Sequence, residues 1–359
     1  MAVEFIGMIN TREYSEIRPP EGEAIDRDYI KLISQTHEKA GFDRVFMSQN
    51  STGPDAILVT AYAAAATEKV KLLIAVRPGL MSPTLAARKF ATLDQLTAGR
   101  LAISIVTGGH DSEMQREGDF LNKEDRYRRT DEYLEIMRRV WTSEDPFDYE
   151  GLYYRFKSAF SDVRPFQKPH LPLYFSGASD TAIAVAGKHA DVYLSWGEPL
   201  DQMQDVIARV TAQAAKHGRK PRFSISFRPI LAESEAKAWE RAEQIRERTI
   251  FYREEAGLPI SDHRPPNVGS QRQLANAVRG ERLDKCLWTG IAALNGGAGS
   301  STALVGTAEQ IADTLKDYYD IGVNTFLIRG FDPLDDTIAY GELISRTREL
   351  VANHDARQG

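Results

Sequence analysis

The sequence predicts an α/β fold, a TIM (β/α)8 barrel with insertions, on three observations. Short β-rich apolar runs alternate with amphipathic helical stretches nearly from end to end, the order expected of parallel strands covered by crossover helices. Eight such strand–helix units can be counted. The 359 residues exceed the roughly 250 of a plain barrel, and the surplus has a home before the last unit, at about residues 256–306.

In chain order, the first strand covers 3–9, and a polar loop with Pro19-Pro20 leads to a helix over 26–40 that Gly41 stops as a C-cap. Strand two covers 44–48, a helix 55–67, and strand three 71–77; Ser82-Pro83 then opens a helix with a cap and a first-turn proline. Strand four, 101–106, follows the Gly99-Arg100 turn and is apolar on both faces, as a barrel stave is. A helix over 127–142 precedes residues 147–154, which alternate about Gly151 like a small hairpin insertion. Strand five covers 171–175, a helix 179–189, strand six 191–195, and a long helix runs to His217 before strand seven, 222–230. A further helix ends near Glu255. The last unit is a helix over 307–319, a strand over 325–328 and a closing helix over 336–351. Between them, Arg264-Pro265-Pro266 and Gly296-Gly297-Ala298-Gly299-Ser300-Ser301 mark an excursion that reads either as a mobile lid over the barrel mouth or as a solvated structural insertion. The whole chain, 1–359, reads as one barrel domain with this insertion.

Composition narrows the function classes. Forty-two per cent hydrophobic residues supply a core, and a net charge of −6 without a basic, aromatic-interleaved stretch argues against a nucleic-acid surface and for small molecules. The single cysteine, Cys286, excludes an internal disulfide and a multi-thiolate metal site; it reads as a small core residue and favours a reducing cytoplasm. No apolar run approaches about 18 residues, and residues 1–10 lack a basic flank, so neither export nor a membrane span is expected.

Chemistry in such a barrel sits at the carboxyl ends of the strands. The residues there are Asn10; Ser48, Gln49 and Asn50; Arg77; Thr107 and His110; Ser176 to Ser179; Trp196; Arg228; and Arg329. They include no close carboxylate pair, nucleophile elbow or metal-spaced cluster, so no metal is expected. Gly177-Ala178-Ser179 starts a helix directly after strand five, where N–H groups and the dipole suit a phosphate; Ser179 reads as a ligand to it or as a plain N-cap. Thr107 either bonds a ligand ring or satisfies its own loop, and His110 reads equally as an ordinary surface histidine. Trp196 either walls a flat ring or packs. Arg77, Arg228 and Arg329 leave three different staves; together they would focus positive potential on an anion, and singly each reads as an ion-pair partner.

Several segments, in order and over almost the whole chain, carry a resemblance. They are Val76-Arg77-Pro78 with Ser82-Pro83-Thr84-Leu85-Ala86-Ala87-Arg88; Ala91-Thr92-Leu93-Asp94-Gln95-Leu96-Thr97-Ala98-Gly99-Arg100; Ile105-Val106-Thr107-Gly108; and Asp125-Arg126-Tyr127. Leu173 to Asp180, Tyr193 to Pro199, Gly296 to Gly299 and Ala303 to Gly306 complete the set. In these the chain resembles the bacterial-luciferase-like flavin monooxygenases, and among them the alkanesulfonate monooxygenase branch.

The resemblance implies a two-component enzyme that takes reduced FMN from a separate NAD(P)H-dependent flavin reductase, uses oxygen, and oxygenates a small organic substrate. By position it implies that Ser48, Thr107, Tyr127, Gly177, Ala178 and Ser179 contact FMN, the last three and Tyr127 near its phosphate, and that the chain is a homodimer or homotetramer. Arg228, Arg329, Trp196, Arg77 and Asn50 are then the substrate-side candidates. The chain departs from the sulfonate branch at Gly53, Ser226 with Arg228, Phe331 with Pro333, and Asn295, where that branch carries cysteine, arginine with histidine, tyrosine with histidine, and arginine. Most of the groups that handle a sulfonate in that branch are therefore absent, and the expected substrate is an organosulfur compound, a sulfonate only if Arg77, Arg228 and Arg329 take over that work, or a carbonyl open to Baeyer–Villiger insertion. A deazaflavin-dependent hydride transfer, a phosphosugar isomerase or aldolase, and a flavin binder without catalysis are the competing readings.

Overall fold

The computed structural model describes residues 3–258, 265 and 267–358. In order the elements are β1 (Glu4–Ile9), α1 (Arg27–Lys39), β2 (Arg44–Met47), α2 (Ala56–Ala65), β3 (Lys71–Val76), α3 (Pro83–Leu96), β4 (Leu101–Ile105), α4 (Asp111–Arg116), α5 (Lys123–Thr142), β5 (Phe147–Glu150) and β6 (Arg155–Ala159). There follow β7 (Leu173–Ser176), α6 (Asp180–His189), β8 (Val192–Trp196), α7 (Leu200–Ala215), β9 (Arg222–Leu231) and α8 (Glu235–Glu255). The chain continues through α9 (Val268–Arg279), β10 (Arg282–Leu283), β11 (Leu287–Trp288), α10 (Gly290–Leu294), β12 (Ala303–Gly306), α11 (Ala308–Asp320), β13 (Val323–Ile328) and α12 (Pro333–Gln358). Along the sheet the order is β10-β11-β12-β9-β13-β1-β2-β3-β4-β7-β8, and β9 also pairs with β8. That is the strand order of a (β/α)8 barrel carrying three extra strands on β9; the pairs β3–β4, β4–β7, β13–β9 and β1–β13 are parallel.

Two compact units divide the chain: one comprises 1–46, 194–209 and 222–359, the other 47–193 and 210–221. In the second, all five residues of β4 are buried, as a stave apolar on both faces requires. Arg100 closes the turn into β4 by donating to the carbonyls of Ala64 (2.9 Å) and Val70 (3.1 Å), where the C-terminus of α2 favours a cation. Trp141 of α5 donates its indole N–H to Ala87 O of α3 at 2.9 Å, which satisfies a polar atom that burial would otherwise strand. In the first unit, Ile230, Ala238, Ala242, Ile245, Trp288 and Val305 form one apolar cluster under α8. Gly41 follows α1 with φ +85°, the left-handed residue that the sequence expects after this helix.

The differences from expectation have local causes. Helix α5 begins a turn before residue 127 because Asn122 caps it, accepting from Asp125 N. Ser82 makes no side-chain cap, because its hydroxyl pairs instead with that of Thr84 at 3.0 Å. Residues 111–116, for which the sequence suggests no element, form α4. The hairpin runs on to Ala159. Residues 268–306, read as an irregular excursion, hold α9, β10, β11, α10 and β12, with β12 laid parallel to β9 so that Ala303 faces Arg228. Arg264 and Pro266, from the same excursion, lie outside the described residues. Cys286 is buried, and burial pushes its thiol pKa up, in keeping with a core residue.

His37 offers a test of the packing. It lies on β1 where Gly7 makes room, since a Cβ at Gly7 would stand 1.9 Å from the imidazole, and its Nδ1 donates to Ile33 O at 2.7 Å. Complete burial lowers its pKa from 6.5 to about 4, so between these values the unfolded chain binds the extra proton and stability falls as pH drops. Urea midpoints should decline from pH 7 to pH 5, with His37 contributing on the order of 2 kcal/mol. His189, also lowered to about 4, adds a second contribution of the same sign. His37→Gln should flatten the wild-type slope; an unchanged slope would exclude this imidazole as a titrating group.

Candidate active site

The turn from β7 into α6 is built around a residue without a side chain. Gly177 has φ +141°, and a Cβ there would stand 2.8 Å from both the Tyr127 hydroxyl and Ala182 Cβ. Its carbonyl accepts from the Tyr193 hydroxyl at 2.7 Å. Half-buried Ala178 follows, then Ser179, which caps α6 by accepting from Ala182 N at 3.3 Å. Tyr127, buried on α5, hydrogen-bonds with the Ser179 side chain; burial, outweighing this bond, raises the phenol's pKa and keeps it neutral. The structure therefore brings Tyr127, Gly177, Ala178 and Ser179 together at a helix N-terminus, where backbone N–H groups have no intrahelical acceptor. Acidic groups are close as well: Thr181 donates to Glu124 at 2.6 Å, and Asp180 sits in the first turn.

Helix α5, which carries Tyr127, also supports Thr107, just beyond β4 and buried, whose hydroxyl lies 3.3 Å from that of Thr130. Thr130 donates to Arg126 O at 2.8 Å and so offers Thr107 an acceptor. Tyr127 and Thr130 are three apart and share one face of α5, which ties Thr107 and the Gly177 turn to a common support. Ser48, half-buried, follows β2 directly. Asn50 is exposed and its Oδ1 is taken up by Thr52 N (3.0 Å) and Thr52 Oγ1 (3.1 Å), a local turn.

The arginines are each paired. In the second unit, Arg77 donates to Glu113 Oε1 at 2.5 Å and to Gln49 O at 3.1 Å. In the first unit, Arg228 follows Phe227, whose carbonyl accepts from Arg329 N at 3.3 Å, so the two arginines are level on adjacent strands. Both meet Glu16 from the loop after β1: Arg228 Nη1 lies 2.6 Å from Oε2, and Arg329 Nη2 donates to Oε1 at 3.1 Å. Arg228 also donates to Gly330 O at 2.9 Å and lies 3.5 Å over the Phe331 ring. Burial works to raise the Glu16 pKa, but the charges of Arg228 and Arg329 outweigh it and hold the group at about 2. Burial, with repulsion from Arg329, brings Arg228 down to about 10 against the opposing pull of Glu16. Each of the three arginines is thus in an ion pair, Arg77 with Glu113 and Arg228 and Arg329 with the shared Glu16, so none of them stands as a free charge.

Trp196, at the end of β8, is half-buried against α9, where a Cβ at Gly269 would stand 3.0 Å from its ring. The adjacent Glu198 is buried and takes two bonds from Arg272 of α9, at 2.7 and 2.5 Å, while Thr302 donates to Gly197 O at 2.7 Å. Sequence reasoning missed Glu16, Glu113, Thr130 and Tyr193. A buried stave-end arginine that requires a counter-charge was the available signal for the two carboxylates; nothing local marked Thr130 or Tyr193. Among the described residues no group of three or more His, Cys, Asp or Glu is placed to hold a metal ion, and no helix is long and apolar enough to cross a membrane.

With this geometry the comparisons agree. The model of the luciferase-like monooxygenase family matches residues 3–325. Similar solved structures include riboflavin lyase (RcaE) with modified FMN and riboflavin, 20% identical, covering 99% of this chain and 92% of that one at a TM-score of 0.78. The EDTA monooxygenase (EmoA) of Chelativorans sp. BNC1 is 16% identical, covering 99% and 95% at a TM-score of 0.77. An F420-dependent secondary alcohol dehydrogenase is 18% identical, covering 97% and 99% at a TM-score of 0.70. The chain belongs to the luciferase-like monooxygenase family.

The Gly177 turn can be tested by stability alone. Gly177→Ala should lower the unfolding free energy by about 1–3 kcal/mol, through φ and the two close contacts, and Ser179→Ala by about 1 kcal/mol through the lost cap. Chemical denaturation measures both; a neutral Gly177→Ala would show that the turn has room it is not using.

Proposed function

We propose that this member of the luciferase-like monooxygenase family is a two-component, FMN-dependent monooxygenase acting on a small organic substrate, with reduced FMN delivered by a separate NAD(P)H-dependent reductase. The convergence of Tyr127, Gly177, Ala178 and Ser179 at the start of α6 carries this reading. Its donors suit a phosphate: two hydroxyls, a backbone that only glycine leaves open, and the positive end of a ten-residue helix. In this reading Thr107 and Ser48 face the flavin ring. Bound reduced FMN supplies the two electrons that, with molecular oxygen, place one oxygen atom in the substrate and release the other as water.

The chain's own residues bind and orient. Tyr127 stays protonated and so donates to an anion, and Thr130 fixes the hydroxyl of Thr107. Trp196, Arg228 and Arg329 in one unit, and Arg77 and Asn50 in the other, are the substrate-side candidates. Helix α2 is apolar throughout most of its length yet exposes Leu58 and Tyr62, which supports association with a second copy, and the cytoplasm suits the lone buried thiol. The F420-dependent relative supports a second reading, hydride transfer with a deazaflavin and no use of oxygen.

Equilibrium dialysis with FMN, riboflavin and a deazaflavin tests the cradle. FMN should bind more tightly than riboflavin, and Ser179→Ala and Tyr127→Phe should each weaken FMN by about three- to tenfold while leaving riboflavin nearly unchanged, as expected for one charge-assisted hydrogen bond to phosphate. Turnover with a generic flavin reductase should consume oxygen and raise the product mass by one oxygen atom. Preference for the deazaflavin with no oxygen requirement would establish the second reading.

A further inference from the structure

We propose that Arg228 and Arg329 form an anion site already filled by the chain's own Glu16, and that the substrate is therefore an uncharged organic molecule, not an alkanesulfonate. This deepens the monooxygenase reading and rests on it for the identity of the reaction. The three residues come from neighbouring strands of one unit: Arg228 on β9, Arg329 just past β13, and Glu16 from the loop after β1. Each carboxylate oxygen takes one guanidinium, at 2.6 and 3.1 Å, which is the way two arginines would hold a sulfonate or carboxylate ligand.

The neighbouring ion pairs balance the remaining charge. Arg18 pairs with Glu13 at 3.3 Å and with Asp332 at 3.0 Å, and Arg241 pairs with Asp332 at 3.3 Å and with Asp336 at 2.7 Å. Arg18, Arg228, Arg241 and Arg329 are thus matched by Glu13, Glu16, Asp332 and Asp336, four charges of each sign. An incoming sulfonate would leave this cluster with an excess negative charge, or would have to expel Glu16. The tethered carboxylate competes at an effective concentration of about millimolar or higher, whereas a free anion competes only at its own. Arg228 is fully buried and its guanidinium lies against the Phe331 ring, so it cannot turn to meet a ligand elsewhere.

Removing the internal anion should expose the site. Thermal unfolding of the full-length wild type, Glu16→Ala and Glu16→Gln is followed in sodium methanesulfonate and sodium formate against sodium chloride at equal ionic strength. The wild type should show no stabilisation beyond chloride. Glu16→Ala should be less stable and should recover as its Tm rises with the logarithm of formate or methanesulfonate concentration, with an apparent Kd at least about tenfold below any wild-type value. Glu16→Gln keeps the side-chain volume, carries the test if the alanine variant does not fold, and should show the same anion dependence. Adding Arg329→Gln to Glu16→Gln should abolish it. Equal stabilisation of the wild type by methanesulfonate, or no anion response in a folded Glu16→Gln, would overturn the proposal. Flavin fluorescence quenching in the same samples separates the two readings: loss of FMN binding by the wild type, with the anion response intact, defeats the monooxygenase and leaves the filled anion site standing.

Discussion

The charge that this fold takes out of water is neutralised where it is buried. A guanidinium at a stave end cannot keep its hydration, and the penalty for stripping it without a partner is several kcal/mol. Arg77 therefore meets Glu113, Arg126 meets Asp111, Arg129 meets Asp119, and Arg228 shares Glu16 with Arg329. These pairs also place backbone. Glu113 accepts from Ser51 N as well as from Arg77, so the loop after β2 and helix α4 are fixed through one carboxylate. Glu198 does the same with Arg272, holding the loop after β8 to α9.

Against that background the candidate flavin cradle is distinctive for its lack of a committed cation. Arg126, next to Tyr127, is spent on Asp111 and Leu121 O, leaving hydroxyls, backbone and a helix end to face a phosphate. Such a site binds through geometry more than through net charge, since the helix-end field acts only over the first turn. Geometry is what the surrounding contacts supply: Tyr193 pins the Gly177 carbonyl, Ser179 is fixed by its own cap, and Tyr127 and Thr130 sit on one face of a twenty-residue helix. Thr107 is held by that helix as well, so a displacement of α5 would disturb both ends of the proposed flavin contact together.

The sequence announced what is local. The eight staves are legible because each is a short apolar run between polar turns, and Gly177-Ala178-Ser179 is legible because strand end, glycine and cap are contiguous. What it hid depends on distant partners. Glu16 lies 313 residues from Arg329, and no window of the chain shows that they meet. Strand β12 exists because β9 runs past the barrel and offers Arg228 to Leu231 as a pairing edge, so residues 303–306 form a strand only in that company. The two-residue strands β10 and β11 depend in turn on β12. The Ser82 hydroxyl, an unremarkable cap by sequence, was diverted by its neighbour Thr84.

Relatives at 16 to 20% identity keep this fold while their names describe a lyase, a monooxygenase and a dehydrogenase, so the scaffold does not choose the chemistry. The choice must lie with the few side chains at strand ends, and there the chain has set one of its own carboxylates between the two level arginines. A site that wanted an anionic head group would leave two level arginines open, because an opposing carboxylate both weakens their attraction and stands against the Nη groups that an anion would meet. Glu16, held ionised well below neutral pH, does both at any physiological pH. Discrimination then falls to shape and apolar contact, for which half-buried Trp196 is the candidate, whereas Phe331 is fully buried beneath Arg228 and belongs to the ion-pair cluster.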